Sequence, residues 1–300
     1  MEHYRSLNSY LREHFGEKVY KLALDGGFTC PTRDGKLDTR GCIFCAGGSG
    51  DFSVPVGEDV FAALETAKAV VAGKGARRYI AYFQSYTGTY APIERLRALY
   101  GAVIRHPDIC ALSIATRPDC LGPEVLALLE ELNAVKPVWI ELGLQTIHPA
   151  TAAYIRRGYP LSVYDEALRQ LQARGIETIV HCILGLPGET PEQMRRTAQY
   201  VGESGAQGIK LQLLHVLRGT DLEKDYRAGR FETMSLEEYI AVLEACVESL
   251  PPSVVIHRLT GDGAKRDLIA PLWSADKKRV LNAVREAFER DQVFQGTRLL

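Results

Sequence analysis

An α/β fold with a parallel sheet covered by helices is what this 300-residue chain predicts, and three observations predict it. Apolar, β-prone runs alternate with helix-patterned runs six times before residue 217. Those β runs are apolar almost without interruption, as strands buried on both faces are. Polar residues follow the strands directly, at Gln84-Ser85, Thr116-Arg117, Gln145-Thr146 and Gly185. In α/β sheets and barrels such positions gather at the carboxyl ends of the strands, where ligands bind. Periodicity leaves a doubly wound sheet and a partial barrel both open.

Residues 1–17 read as a short N-terminal helical segment with Tyr4, Leu7, Tyr10 and Leu11 on one side. A first strand over 19–24 runs straight into a loop that carries cysteines, and a helix over 59–72 turns Val60, Leu64, Ala67 and Val71 to one face. Strands over 79–83, 110–115 and 138–144 then pair with helices over 93–105, 123–135 and 163–173, the last ended by Gly175. After a strand over 179–184, Thr190 is an N-cap, Pro191 a first helical residue and Gln193 the partner that completes a capping box. A strand over 209–216 closes the repeats, so residues 18–216 form one domain. Residues 217–233 read as a connecting loop or an irregular segment. Ser235 and Glu238 open a second capping box, whose helix runs to Pro251-Pro252. A strand over 254–259 and a helix over 275–289 capped by Ser274 make residues 217–300 an α/β extension packed on the repeats.

Composition excludes several classes of function. Apolar content of 46% and charged content of 24% are those of a soluble globular protein. The net charge of −1 provides no global positive field, so any RNA contact must come from a local patch. No run approaches the ~18 apolar residues of a membrane span. The polar start from Met1 to Arg12 does not resemble a signal peptide. Seven cysteines, an odd number, argue against a disulfide framework and for a reducing cytoplasm.

Three of those thiols, Cys30, Cys42 and Cys45, are spaced C-x11-C-x2-C. Closed zinc sites take four ligands, and ordinary iron–sulfur clusters take four cysteines. Three cysteines in one loop can leave one metal of a four-iron cluster open to a chelating small molecule. On the residues alone, a zinc knuckle or unrelated free thiols stay open. Cys110, Cys120, Cys182 and Cys246 read as small buried hydrophobes, and His148 and His215 as core histidines. Gly185-Leu186-Pro187-Gly188 makes a tight strand-to-helix turn.

Longer motifs carry a resemblance. They are Asp25-Gly26-Gly27-Phe28-Thr29-Cys30-Pro31-Thr32-Arg33-Asp34-Gly35, Ser49-Gly50-Asp51-Phe52 and Tyr82-Phe83-Gln84-Ser85-Tyr86-Thr87. Thr116-Arg117-Pro118-Asp119, Gly143-Leu144-Gln145-Thr146, Arg157-Gly158 and Gly185-Leu186-Pro187-Gly188-Glu189-Thr190 continue them, with 257–263 and Pro271-Leu272-Trp273 in the extension. Together they resemble radical S-adenosylmethionine (radical SAM) proteins of the YtqA/YhcC-like group. That group is related to the radical SAM part of elongator acetyltransferase-like proteins and to oxygen-independent coproporphyrinogen oxidases. The resemblance covers essentially the whole chain and shares its long first cysteine gap.

It implies a partial (β/α)6 TIM-like barrel of the radical SAM type, with a [4Fe-4S] cluster on Cys30, Cys42 and Cys45 and SAM on the open iron. Phe44 would sit near the adenine. Gln84 and Ser85 stand where many members carry Gly-Gly-Glu for the SAM amine. Thr116 and Gln145 would approach the ribose, and Arg157 would pair with the SAM carboxylate. His181, at a position held by aspartate in related enzymes, is the catalytic candidate. The implied partners are a tRNA substrate and an electron donor of flavodoxin or ferredoxin type. The implied reaction converts the C5 side chain of a wobble uridine from carboxymethylaminomethyl to aminomethyl. Radical SAM chemistry on a small metabolite is the alternative within the class, and a non-catalytic zinc-stabilised RNA-binding protein the alternative outside it.

For RNA, the richest segment is 257–279, where Arg258, Lys265, Arg266, Lys277, Lys278 and Arg279 face Asp262, Asp267 and Asp276. Trp273 is its stacking aromatic, and Arg258, Lys277 and Lys278 are the expected contacts. The alternative is a solvated helix start with Trp273 in the core.

Overall fold

The computed structural model describes residues 2–47, 53–261, 263 and 265–299. Helix α1 (Leu7–Phe15) begins where the Ser6 hydroxyl accepts from the Ser9 amide. Strand β1 (Val19–Asp25) leads into the cysteine loop, followed by the two-residue β2 (Val54–Pro55) and α2 (Val60–Val70). The repeats continue as β3 (Arg78–Phe83), α3 (Ile93–Ile104), β4 (Ile109–Thr116), α4 (Pro123–Asn133) and β5 (Val138–Gln145). Next come α5 (Pro149–Tyr154), α6 (Leu161–Gln172), β6 (Glu177–Leu184), α7 (Pro191–Glu203) and β7 (Gly208–Leu213). The extension holds β8 (Val216–Leu217), α8 (Asp221–Arg227), α9 (Leu236–Glu248), β9 (Val255–Arg258), β10 (Leu268–Ala270) and α10 (Lys277–Arg290).

One sheet takes the strands in the order β2-β1-β3-β4-β5-β6-β7-β9, every neighbouring pair parallel. From β1 to β7 the order advances in one direction and never reverses. A doubly wound sheet requires a reversal, so the sheet curls instead into a partial barrel. Strand β9 extends that same sheet beside β7, with Lys210 opposite Arg258.

The alternation of strand side chains divides the core in two. Leu24, Phe83, Leu112, Leu142, Val180 and Leu211 face outward, under Leu64, Leu96, Leu129, Leu168, Val201 and Leu243 of the helices. Inside the barrel, Val19, Ile80, Ala111, Trp139 and Ile179 form a bottom layer that Leu11 of α1 covers. Tyr10 of the same helix donates to Glu177 at 2.9 Å and fastens this plug. The cleft therefore opens at the carboxyl ends of the strands and is closed below.

Both predicted capping boxes are present, at Thr190 with Gln193 and at Ser235 with Glu238. Replacing either Thr190 or Ser235 with alanine is expected to cost about 1 kcal/mol in chemical denaturation. Most boundaries agree with the sequence reading within two residues. Besides the short α5, β2 and β10, which that reading did not contain, three features differ. The stretch 217–233 is no simple loop, since it contains α8, which starts at a Thr220 cap. The strand expected over 209–216 ends at Leu213, and Val216–Leu217 pairs instead with β10 in a second, antiparallel sheet. The last helix is capped by Asp276, which accepts from the Arg279 amide at 3.1 Å, while the Ser274 hydroxyl is taken by the Pro271 carbonyl at 2.7 Å. No helix among the described residues is long and apolar enough to cross a membrane.

Candidate active site

The long gap between the first two cysteines is an excursion that folds back on itself. Cys30 O accepts from the Arg33 and Asp34 amides, Pro31 O from Leu37, and Thr32 O from Gly41 at 2.8 Å. The last bond closes the loop, so that the intervening residues bring Cys42 back beside the start. Gly41 takes φ +75°, and a Cβ there would meet the Arg33 guanidinium at 2.8 Å. Arg33 donates to the Cys45 carbonyl at 2.5 Å, and Cys45 N bonds Cys42 O at 3.0 Å. Ile43 anchors the turn by bonding Ile155 O and receiving the Leu222 amide, which ties in α8. The Ser49–Phe52 motif and Asp262 lie outside the described residues.

All three thiols line one cleft at the top of the barrel, together with Phe44, Gln84, Thr116, Gln145, Arg157 and His181. Burial and the neighbouring Cys45 push the Cys42 thiol up to about 12, against the pull of Arg117 and Arg33. A metal reverses that balance by taking the thiolate. The donor set therefore suits soft iron, with arginine charge close by to offset thiolates. Gln145 adds an independent sign of a ligand. Its Oε1 is buried without a hydrogen-bond partner, on a residue held at φ +68° in the cleft wall. An orphaned acceptor of this kind fits a hydroxyl donor brought by a ligand such as SAM.

Other rim residues are already engaged. Gln84 Nε2 donates to Ser53 at 3.1 Å, and Thr116 shares a 2.5 Å bond with Thr89. Ser85 is buried at 2% exposure and is not among the residues lining the cleft. Arg157, 3% exposed, donates to the carbonyls of Leu144, Thr146 and Tyr159. It fastens the turn after β5, and a SAM carboxylate would have to share a guanidinium already bonded to main chain. Phe44 packs beside Ile43 and Ile155.

The expected RNA surface does not form as one patch. Arg258 lines the cleft from the end of β9, whereas Lys277 and Lys278 are exposed in the first turn of α10. Trp273 is not a free platform either. Its indole N–H donates to Met234 O at 2.9 Å, and its ring packs 5.7 Å from Tyr239. Cys110, Cys182 and Cys246 are buried as expected, and Cys120 is half-buried with its thiol 3.8 Å from Asp119.

A layer of charge above the apolar plug escaped the sequence reading. Glu141, 1% exposed on β5, accepts on Oε1 from Lys21 at 2.6 Å and Ser113 at 3.0 Å. Its Oε2 accepts from His181 Nε2 at 2.7 Å and from Lys210, which also donates to the Tyr82 hydroxyl at 3.0 Å. Burial alone would raise the Glu141 carboxyl, but Lys21, Lys210 and His181 outweigh it and hold the group well below its usual range. Burial, with Lys210 adding to it, pushes His181 down to about 4 despite the Glu141 bond. Neutral His181 thus donates through Nε2 and leaves Nδ1 toward Gln212, 3.4 Å away. The signal was a lone ionisable residue inside each otherwise apolar strand: Lys21, Glu141, His181 and Lys210.

Burial, with Lys21 next, also holds His257 well below its usual value. Both histidines stay neutral in the fold while unfolded imidazoles take protons below about pH 6.5. Their contribution is complete above that pH and is lost as pH falls below it, for His181 down to about 4. Urea denaturation should show stability dropping as pH falls through this window, by up to about 3 kcal/mol per pH unit from the pair. His181→Gln should remove about half of that slope.

Comparison with known proteins places this geometry. Residues 39–201 match the family model of the radical SAM superfamily, and residues 206–290 that of the radical SAM C-terminal domain. The chain is 43% identical to protein YtqA of Bacillus subtilis over 295 residues, 98% of this chain and 92% of that protein. It is 37% identical to protein YhcC of Escherichia coli over 268 residues, 89% and 86% of the two chains. A tRNA uridine(34) acetyltransferase of Dehalococcoides mccartyi is 30% identical over 185 residues, 59% of this chain and 38% of that one. The solved structure of Methanocaldococcus infernus Elp3 with an N-terminal deletion shares the fold. It has a TM-score of 0.72 and 17% identity over 92% of this chain and 64% of that one. Radical SAM proteins use a [4Fe-4S] cluster and S-adenosylmethionine, and the donor set described above fits both. A family match over more than half of the sequence, with relatives this close along nearly all of it, makes the chain a member of the radical SAM superfamily.

Proposed function

We propose that this protein acts on the C5 side chain of a tRNA wobble uridine, converting carboxymethylaminomethyluridine to aminomethyluridine. The likeness to a tRNA uridine(34) acetyltransferase over 59% of the chain supports the RNA substrate. The cleft, with three thiols on one wall and a polar floor beneath, supports a buried reaction centre. When bound, the cluster and SAM supply a 5′-deoxyadenosyl radical able to take hydrogen from an unactivated carbon.

The protein's own residues hold and exclude. Cys30, Cys42 and Cys45 hold the cluster, and Arg33 fixes the Cys45 carbonyl and so the turn that carries the last two thiols. Gln145 offers its unpartnered acceptor to a ribose hydroxyl, and Phe44 a face to the adenine. Gln84 would meet the amine end of SAM, with Ser85 behind it, and Thr116 would lie toward the ribose. The plug of Leu11, Trp139 and Ile179 closes the barrel from below. The hydrogen to be removed lies on the methylene between nitrogen and carboxylate, where both substituents stabilise the carbon radical. Loss of one further electron to the donor chain gives an iminium, and its hydrolysis breaks the N–C bond, leaving the aminomethyl group and releasing the two-carbon unit as glyoxylate. A flavodoxin- or ferredoxin-type donor provides the electron.

Mass spectrometry of wobble nucleosides from a strain lacking the gene tests this reading. Carboxymethylaminomethyluridine should accumulate and aminomethyluridine should disappear. Unchanged nucleosides would overturn the assignment.

A further inference from the structure

Charge in the barrel interior does not balance. Among the described residues that line the cleft, Glu141 is the sole carboxylate. Two ammonium groups close on it, Lys21 at 2.6 Å from Oε1 and Lys210 on Oε2. His181 occupies the same Oε2 and stays neutral near pH 7. With Lys210 protonated, one positive charge is left over within walls of low dielectric, where an unpaired charge is costly. Arg258 stands nearby, close enough to act electrostatically on both His181 and Lys210, and the count does not rely on it. Burial, with Lys21 and Arg258 adding to it against Glu141, pushes Lys210 down to about 7. An arriving anion would secure its proton.

We propose that this floor is the subsite for a carboxylate of the substrate, faced by Arg258, Gln212 and His181 and backed by the charge of Lys21 and Lys210. These facing residues line the same cleft as the three thiols, so an anion seated there lies in the chamber where the reaction occurs. One surplus charge beside a fixed carboxylate suits a monoanion. The fixed negative charge of Glu141 in the same floor repels a phosphate dianion more than a monoanion. The subsite also gives the reaction a direction, since a side chain that has lost its carboxylate loses this contact and leaves. The inference rests on the wobble-uridine reading only for the identity of the molecule that carries the carboxylate.

The test uses N-methylglycine, which carries the methylamino and carboxylate ends of the proposed side chain, and N-methylglycinamide, which lacks the charge. Both are titrated by calorimetry into anaerobically cluster-loaded, SAM-bound protein. The acid should bind with a dissociation constant on the order of millimolar and at least about tenfold tighter than the amide. Arg258→Gln should remove that preference without changing amide binding. Lys210→Met should do the same where it folds, but the acid–amide comparison on the wild type stands without any variant. Equal binding of acid and amide, no binding of either up to about 50 mM, or tighter binding of inorganic phosphate would overturn the subsite. Should the acid preference hold while wobble nucleosides are unchanged in the deletion strain, the subsite is supported and the tRNA reading alone falls.

Discussion

Glu141→Leu should destabilise the protein by about 3–5 kcal/mol, measured by urea denaturation at pH 7. The fully buried carboxylate receives Lys21, Lys210, His181 and Ser113 at once, so removing it strands two ammonium groups inside the barrel. Part of the cost can be relieved, because Lys210 already sits near pH 7 and can give up its proton. Lys21, 17% exposed, lies over the Tyr82 ring, which offsets part of its own loss. Glu141→Gln keeps the acceptor but loses the charge and should cost less. The double variant Glu141→Leu/Lys210→Met should recover part of the loss, since removing both members of a buried pair is milder than removing one. A Glu141→Leu protein as stable as the wild type would show that the charged layer does not hold the barrel together.

The second large effect is on cofactor retention. Changing any one of Cys30, Cys42 or Cys45 to alanine should abolish cluster assembly under anaerobic reconstitution and reduce SAM-dependent 5′-deoxyadenosine by at least about 10³-fold. Loss of one thiolate leaves two iron corners without protein ligands. Changing Cys110, Cys182 or Cys246 should leave iron content unchanged. These thiols are buried in apolar cores away from the cleft, Cys110 in the inner plug and the other two beneath the helices. Iron lost from a Cys182→Ala protein as readily as from Cys42→Ala would contradict the assignment of ligands.

Much of this was legible beforehand because it rests on local rules. Near-continuous apolar strands announced the parallel sheet, and Thr190 and Ser235 announced their helices through capping boxes that both form. Residues just after the strands reached the rim, as α/β topology requires. The charged layer was hidden by averaging, since one Lys, Glu or His per strand barely disturbs an apolar run. Only closure of the barrel brings Lys21, Glu141, His181 and Lys210 to one level. Arg258 lies apart from Lys277 and Lys278 because β9 joins the main sheet beside β7 and carries it to the cleft. Ser274 and Asp276 are equally good caps on paper, and the Pro271 carbonyl decided between them. The cysteine gap looked anomalous until the bond from Gly41 to Thr32 showed the intervening chain folding back.

What the three thiols hold decides the chemistry of the cleft. Anaerobic reconstitution of the wild-type protein with iron and sulfide, followed by metal analysis and a dithionite-driven assay, addresses that directly. A brown protein with about four irons per chain that releases 5′-deoxyadenosine from SAM is the expected result. A colourless protein carrying one zinc and leaving SAM intact would contradict it.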